Sequence, residues 1–177
     1  QTLYLPYENN SVSQSSPYVT DSSGNANNLT TVSGGTHSQS TDTPNGSGGS
    51  IRIDNRYLAI LPAGMAYEPA DDITVATWIK LDQMPSNYTA AFFSNSSAAL
   101  RLYADGSALF NVNHDPVNSS VSTEAGVIDV SQWHHLVGSY EDSTDNMRFW
   151  VDGDLIGTET INLTTDFDGA GLYIGIN

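Results

Sequence analysis

The sequence predicts an all-β protein in which antiparallel strands pack as a β-sandwich. Apolar and polar residues alternate along residues 133–140 and 147–151, which is the pattern of half-buried strands. Asp152-Gly153 follows the second of these stretches and is typical of a tight hairpin turn. No segment keeps a sustained helical apolar period. These observations predict short strands joined by turns, with brief helical turns at most.

The centre of this prediction is a three-stranded meander over residues 133–157. Leu136, Gly138 and Tyr140 share one face of its first strand, because successive side chains of a strand point to opposite faces. The polar segment 141–146 is rich in turn formers and predicts a hairpin with a solvated acidic tip.

The N-terminal third alternates short apolar stretches with polar segments. Residues 34–50 contain no apolar side chain apart from one proline and predict a long loop within the same domain. Residues 9–16 predict a polar loop and residues 20–28 a tight one. Strands are predicted at 2–8, 29–32, 51–53 and 57–60, the last two forming either a strand pair or one bent strand.

The middle of the chain predicts a central strand and a meander. Residues 62–72 predict a loop and residues 115–124 a polar excursion. Strands are predicted at 73–81, 90–94, 99–103 and 108–113, with a hairpin turn at 104–107, and residues 127–130 precede the meander. Trp78, Trp133 and Trp150 are expected in the core or packed on a sheet face.

Composition indicates one domain over residues 1–177 and excludes several classes of function. The chain has no cysteine, which excludes disulfides, thiolate metal sites and a cysteine nucleophile. Its 20 acidic and 5 basic residues give a formal net charge of -15. Such a charge repels nucleic acid and anionic membranes and favours cations such as calcium. No apolar run approaches the roughly 20 residues of a transmembrane helix, so membrane insertion is not expected.

Several features predict an exported protein at the cell surface or outside the cell. The chain begins at Gln1 instead of Met, which predicts that a leader was removed or the chain was trimmed. Ser, Thr, Asn and Gly dominate the polar residues, as in many extracellular β-proteins. Candidate N-glycosylation sequons begin at Asn9, Asn28, Asn45, Asn87, Asn95, Asn118 and Asn162.

The meander also carries a family resemblance. The run WHHLVGSYEDSTDNMRFWVDGDLIG at 133–157 resembles the signature hairpin of laminin-G-like, or concanavalin A-like, jelly-roll domains. ITVATWIK at 73–80 and LYIG at 172–175 resemble two further strands of that family. The likeness covers roughly residues 1–177 and implies a jelly-roll fold. It implies less about function, because the fold carries lectins, adhesion modules and some enzymes.

The DSSGNAN loop at 21–27 is the best candidate for a metal site. Gly24 permits a sharp bend that can bring one carboxylate, amide oxygens and backbone carbonyls together, and calcium prefers such hard oxygen ligands. The resemblance implies calcium ligands at Asp21, at Asn25 or Asn27, and at Glu8. Ala26 departs from the family, which usually has glycine there. The alternative is a metal-free Asx-type turn.

The remaining motifs argue against catalysis. A glycosidase needs two carboxylates across the scissile bond, and the predicted central strands contain neither Asp nor Glu. His134 and His135 are adjacent on a strand, so they face opposite sides and cannot ligate one ion together. His37 and His114 are isolated in predicted polar loops. No nucleophile elbow, zinc motif or phosphate-binding glycine loop is present in the sequence.

The leading hypothesis is a non-catalytic, calcium-containing binding or adhesion module that recognises a glycan or another cell-surface ligand at its loop rim. The aromatic residues predicted for such a rim are Tyr18, Tyr67, Tyr88 and His114. One alternative is a structural subunit of an extracellular assembly that exchanges strands between copies. A weaker alternative is a glycan-active enzyme.

The N-terminal strand carries a separate expectation of self-association. Domains of the resembled family usually continue past the LYIG strand into a final strand that pairs beside the N-terminal strand. This sequence stops at Asn177, which would leave residues 3–8 with an unpaired edge. The expectation is either a trimmed module or an edge filled by a strand from a neighbouring copy.

Overall fold

The structure is a computed structural model of the chain. It describes residues 13, 15–16, 18–22, 28–60, 72–95, 98–114, 117–161 and 170–175. Side chains are described within these ranges except at 31–32, 55–60, 93–95, 113–114, 117–118 and 170–172. No helix among the described residues is long and apolar enough to cross a membrane.

Strands make up most of the described chain. A single 3-10 turn, Asp142–Thr144, interrupts them at the tip of one hairpin. In chain order the strands are β1 (Thr31–Ser40), β2 (Ser50–Ile60), β3 (Ile73–Lys80), β4 (Tyr88–Asn95), β5 (Ala98–Tyr103), β6 (Ala108–His114), β7 (Val117–Ser122), β8 (Trp133–Glu141), β9 (Asn146–Val151), β10 (Asp154–Thr160) and β11 (Ala170–Ile174).

The described strands form two antiparallel sheets that pack face to face. One sheet has the order β1-β2-β11-β4-β5-β6-β7 and the other the order β10-β9-β8-β3. The core lies between them, where Leu100 and Phe110 of the first sheet meet Leu136 and Phe149 of the second. The predicted all-β antiparallel sandwich is therefore confirmed.

The predicted meander is confirmed as β8, β9 and β10. Every second residue of β8 from His134 to Tyr140 is buried, which places Leu136, Gly138 and Tyr140 on the core face. Asp152 and Gly153 both have positive φ, 52° and 92°, as a type I′ hairpin turn requires. This turn joins β9 directly to β10.

The acidic hairpin tip between β8 and β9 is organised around Tyr140. The ring of Tyr140 is buried, and its hydroxyl donates a hydrogen bond to Asp145 Oδ1 at 3.3 Å. Burial, followed by the nearby charges of Asp145 and Asp142, raises the pKa of Tyr140 to about 12. The tip is thus anchored to the core by one tyrosine, while Asp142 remains exposed.

The prediction of a long loop at 34–50 is wrong for its first half. Residues 31–40 form β1, which pairs along its length with β2. Both predicted pieces of β2 belong to one continuous strand, Ser50–Ile60. The ladder of backbone hydrogen bonds holds β1, and most of its described side chains are exposed. An exposed hairpin strand needs no apolar alternation, so the sequence carried no signal for it.

The polar excursion predicted at 115–124 is also wrong, because most of it is strand β7. This strand pairs with β6 from Leu109 to His114, so His114 belongs to a strand as well, not to a loop. Val121 packs against the core as a partly buried residue. One apolar contact in a serine-rich strand is too weak a pattern to read from the sequence.

Trp78 occupies the outward face of its strand instead of the core. Ile73, Val75 and Ile79 of β3 pack against the core, so the alternating positions point away from it. Trp78 is 50% exposed and stacks on His135, with ring centroids 4.8 Å apart. The expectation that Trp78 lies in the core is therefore wrong, and the expectation that it packs on a sheet face is confirmed. Trp133 and Trp150 are half-buried.

Some predictions concern residues outside the described ranges. These are the N-terminal strand at 2–8 with its self-association edge, and most of the loop at 62–72. The strand predicted at 73–81 is present as β3, but it ends the four-stranded sheet among the described strands instead of lying at its centre.

Candidate functional site

Two tyrosines and one arginine form an aromatic platform on the seven-stranded sheet. Tyr88 at the start of β4 pairs across the ladder with Tyr103 at the end of β5, and their ring centroids are 6.0 Å apart. The Arg101 guanidinium carbon lies 5.6 Å from the Tyr88 ring centroid. Tyr88 is 40% exposed. We call Tyr88, Arg101 and Tyr103 the Tyr88 platform.

Strand alternation places the Tyr88 platform on the face opposite the core. Leu100 and Leu102 of β5 are buried in the core, so Arg101 and Tyr103 point to the other side. The guanidinium over the Tyr88 ring is a cation–π contact that holds both groups in place. Since only 5 residues of the chain are Lys or Arg, this arginine is an uncommon charge on a strongly acidic molecule.

The β5–β6 turn beside the platform is a rigid rim. Asp105 Oδ1 accepts hydrogen bonds from the Ser107 hydroxyl at 2.7 Å and the Ser107 N–H at 2.9 Å. The hydrogen bond from the Ser107 hydroxyl has the larger effect and the bond from the Ser107 N–H the smaller, and both lower the pKa of Asp105. Gly106 has a φ of 76°, and a β-carbon built on it would lie 2.9 Å from the Ile128 carbonyl oxygen. The Ala104 N–H donates to the Asn87 carbonyl at 2.9 Å, which ties the turn to the start of β4.

Tyr18, another of the predicted rim aromatics, contacts His37 instead of this platform. Tyr18 is half-buried, with its ring edge against the His37 ring at 5.5 Å between centroids. His37 was expected in a polar loop, but it is buried on β1, and its Nε2 lies 2.8 Å from the Ser13 carbonyl oxygen. Tyr67 lies outside the described residues, as does the side chain of His114.

The predicted calcium loop is described at its two ends. Val19 and Leu29 are fully buried and form an isolated antiparallel bridge that closes the loop. Asp21 is 6% exposed, and its N–H donates to Asn28 Oδ1 at 2.8 Å. A buried carboxylate beside an amide oxygen is the hard donor type that calcium takes.

The rest of the expected calcium ligand set cannot be placed. Glu8, Asn25 and Asn27 lie outside the described residues. Within the described ranges, no three His, Asp or Glu residues come together as a metal cluster. Among the described residues, Asp21 is therefore the one carboxylate of the expected ligand set, and its oxygen atoms are of the type that calcium binds.

His134 and Asp152 form a hydrogen-bonded pair that sequence reasoning did not find, in which the His134 side chain is 9% exposed and the Asp152 side chain 44%. His134 Nδ1 lies 2.7 Å from Asp152 Oδ2, and His134 Nε2 accepts a hydrogen bond from the Asp129 N–H at 3.1 Å. Because Nε2 accepts the hydrogen bond from the Asp129 N–H, Nδ1 carries the ring proton. Nδ1 therefore donates a hydrogen bond to the Asp152 carboxylate. Both ring nitrogens are engaged, which makes His134 a structural residue. The expected opposite facing of His134 and His135 is confirmed, since His134 is buried and His135 half-buried.

The glycosylation candidates differ in accessibility. Asn45 and Asn87 are exposed, while Asn28 is half-buried with its Oδ1 bonded to the Asp21 N–H. Asn95 lies in β4 and Asn118 in β7. Asn9 and Asn162 fall outside the described residues.

Comparison with known proteins places this architecture in a family. A family model described as the concanavalin A-like lectin/glucanases superfamily, of laminin-G type, matches residues 45–177. A search of curated protein sequences finds no match. Among solved structures, the chain resembles domain 4 of AbnA, a GH43 extracellular arabinanase from Geobacillus stearothermophilus, in complex with arabinotriose. That likeness has a TM-score of 0.70 and 20% identity, and it covers 99% of this chain and 84% of the other.

Two further structures resemble the chain over part of their length. The binding domain of botulinum neurotoxin serotype D has a TM-score of 0.63 and 16% identity, with 99% of this chain and 43% of the toxin domain covered. Domains LG4-5 of the mouse laminin alpha1 chain have a TM-score of 0.52 and 17% identity, with 67% and 31% covered. The chain thus spans less than half of each of these two structures. At such identities the likenesses show the fold, and the family match identifies the chain: it belongs to the concanavalin A-like lectin/glucanases superfamily, as a laminin-G-like β-sandwich.

Proposed function

We propose that this domain is a non-catalytic extracellular binding module that takes an uncharged glycan at the Tyr88 platform. The observation that carries the proposal is the exposed ring of Tyr88, which contacts both Tyr103 and the Arg101 guanidinium. Aromatic rings offer flat apolar surface to the C–H faces of a sugar, and a few convergent polar groups then fix its orientation. Arg101 donates hydrogen bonds to hydroxyl oxygens from the edge of this surface.

Preorganisation supports binding at this place. The register of β4 and β5 fixes Tyr88 opposite Tyr103, and the turn at 104–107 is tied to Asn87. A ring that is already held loses little conformational freedom when a ligand binds, so more of the contact energy appears as affinity. The neighbouring exposed Asn87 adds an amide to the rim.

Charge and structural likeness narrow the ligand class. A net charge of -15 repels polyanionic glycans, which favours an uncharged oligosaccharide. The similar domain of the arabinanase was solved with arabinotriose, which supports an oligosaccharide as the type of ligand. The extracellular placement of that enzyme supports an extracellular place for this domain.

The composition of the platform supports binding without hydrolysis. Glycoside hydrolysis needs two carboxyl groups on either side of the scissile bond. Strands β4, β5 and β6, which form and flank the platform, contain no Asp or Glu. Asp105, in the turn beside them, is already bonded twice by Ser107.

Isothermal titration of neutral oligosaccharides against Tyr88 variants tests this function. An aromatic anchor of a binding site contributes about 2 kcal/mol or more, so Tyr88→Ala should weaken affinity about thirtyfold. Tyr88→Phe keeps the ring and should keep most of the affinity. Leu155→Ala removes an exposed apolar side chain on the other sheet and serves as the matched control. A folded Tyr88→Ala protein that binds with unchanged affinity would remove Tyr88 from the site.

Calcium is part of the same proposal, as a structural ion in the 21–27 loop. Asp21 would hold it, with Asn25 or Asn27 and Glu8 as further oxygen ligands. The buried Asp21 carboxylate and the closed Val19–Leu29 bridge support this assignment. The ion would neutralise buried negative charge and brace the loop against β1, and it would take no part in glycan chemistry.

A further inference from the structure

The outward face of the four-stranded sheet carries a continuous apolar row. Ala76 of β3 lies opposite Val137 of β8, Val137 lies opposite Trp150 of β9, and Trp150 lies opposite Leu155 of β10. All four point away from the core, because the alternating positions of β3, β8 and β9 fill it. We call these four residues the outer apolar row.

Large exposed apolar groups mark this face as a contact surface. Leu155 is 55% exposed at one end of the row. Trp78, 50% exposed, stands next to Ala76 on the same face of β3 and stacks on His135. Single exposed apolar residues are ordinary on a protein surface, but a contiguous group spanning four strands is characteristic of interaction sites.

The same face is nearly free of acidic side chains. Among the outward-pointing residues of these four strands, Glu141 is the one carboxylate, and the Arg148 guanidinium lies 3.5 Å from it. Lys80 and His135 are the remaining ionisable groups, and Asp42 of the β1–β2 turn pairs with Lys80 at the rim. The whole chain has 20 acidic residues, so this face is set apart from a surface that otherwise repels its own copies.

We propose that two copies of this domain associate through the outer apolar row, face against face. A glycan fits this face poorly, because its carboxylates are already engaged, Glu141 with Arg148 and Asp42 with Lys80 and Trp133, which leaves few groups to fix sugar hydroxyls. A second copy offers a matching face, on which Glu141 is the one carboxylate among the outward-pointing residues of the four strands. A two-fold axis in the plane between the two apposed faces sets each row against its counterpart, as symmetric dimers require. This dimer is independent of the glycan site, which lies on the other sheet.

The size of the face predicts a weak dimer. Four strands spaced about 4.8 Å apart, with outward residues spread over about 25 Å, give roughly 400–500 Å² per copy. A standard interface takes about 800 Å² per partner, so this smaller face predicts a weak, reversible dimer. Each copy carries a charge of -15, and the repulsion between copies is screened by salt. The dimer should therefore strengthen as ionic strength rises.

Sedimentation equilibrium from about 10 µM to 1 mM protein, at about 0.05 and 0.5 M salt, tests the proposal. The wild type should show a reversible monomer–dimer equilibrium that tightens at high salt. Leu155→Glu and Ala76→Glu place carboxylates at the two ends of the row and should each weaken the dimer at least tenfold. Both positions are exposed, so the fold should persist, and circular dichroism checks it. Val127→Glu makes the same charge change in an exposed loop elsewhere and should leave the dimer unchanged.

Three results would overturn the proposal. A monomer throughout this concentration range at high salt would show that the row does not bind itself. A dimer that neither glutamate substitution weakens would place the interface elsewhere, such as at the N-terminal edge strand expected from the sequence. An oligosaccharide that changes the fluorescence of the monomer, with the change lost in Trp78→Phe, would make the face a glycan site.

Discussion

At the scale of single residues, Gly138 illustrates how closely the two sheets approach. It lies on the core face of β8, and a β-carbon built there would come within 2.3 Å of the Phe110 ring. Phe110 is fully buried and stacks on Phe149, with centroids 6.5 Å apart. Because Phe110 is fully buried in a close-packed core, its ring has little free space into which it could move.

Gly138→Ala should therefore destabilise the domain by overpacking. The expected loss in the free energy of unfolding is about 1–3 kcal/mol, measured by chemical denaturation. Phe110→Leu in the same chain shrinks the opposing side chain, so the double variant should lose less than the sum of the two single changes. Strict additivity of the two losses would contradict the contact between these residues.

At the scale of elements, the β9–β10 turn is locked to β8 through Asp152. Its N–H donates to the His135 carbonyl at 2.8 Å, its Oδ1 accepts from the His135 N–H at 2.7 Å, and its Oδ2 accepts from the His134 ring. Burial alone would raise the pKa of Asp152. The hydrogen bonds from the His135 N–H and from the His134 ring outweigh burial and lower that pKa.

Asp152 should consequently contribute to acid stability. A carboxyl whose folded-state pKa is lowered stabilises the fold above its unfolded pKa of about 3.9 and loses that contribution as pH falls through the folded-state value. Asp152→Asn should lower the melting temperature at pH 7 and make its decline below about pH 4 shallower than in the wild type. Asp154→Asn changes a neighbouring exposed aspartate and should follow the wild-type curve. Parallel acid curves for wild type and Asp152→Asn would refute the role of this carboxylate.

At the scale of the whole molecule, long-range contacts join parts that are distant in sequence. Asp42 of the β1–β2 turn accepts hydrogen bonds from Lys80 Nζ at 2.6 Å and from Trp133 Nε1 at 2.9 Å. Both hydrogen bonds lower the pKa of Asp42, and the bond from Lys80 has the larger effect. They connect the first hairpin of the seven-stranded sheet to the four-stranded sheet. The 21–27 loop leads into this same hairpin, so an ion bound there would act on the stability of the whole sandwich.

Calcium should therefore raise the melting temperature of chelated protein. A ligand that binds only the folded state adds RT ln(1 + [L]/Kd), which is about 2.7 kcal/mol at a hundredfold excess over Kd. For a domain of this size the shift is about 5–10 °C by differential scanning calorimetry. Asp21→Asn should abolish the shift, while Asp154→Asn should retain it. Magnesium at equal concentration controls for screening of the acidic surface. An absent calcium response in the wild type would end the proposal of a structural ion.

The strands that bury one face could be predicted from the sequence, because burial imposes a two-residue period on the side chains. The face of Leu136, Gly138 and Tyr140 and the Asp152-Gly153 turn both follow from local pattern and turn chemistry. β1 and β7 could not be predicted in this way. Their pairing rests on backbone hydrogen bonds, which leave no mark on side-chain composition.

The candidate surfaces required the tertiary structure. The exposed Tyr88 could be proposed from its predicted loop, but its partners Arg101 and Tyr103 depend on the register of β4 against β5. Likewise, Trp78 faces outward because Ile73, Val75 and Ile79 occupy the positions of β3 that face the core between the two sheets. Sequence alone determined the class of fold, since alternation and turns are local properties. Only the tertiary structure decided which aromatic side chains meet solvent, because that depends on how strands distant in sequence align and which face each sheet turns to the core.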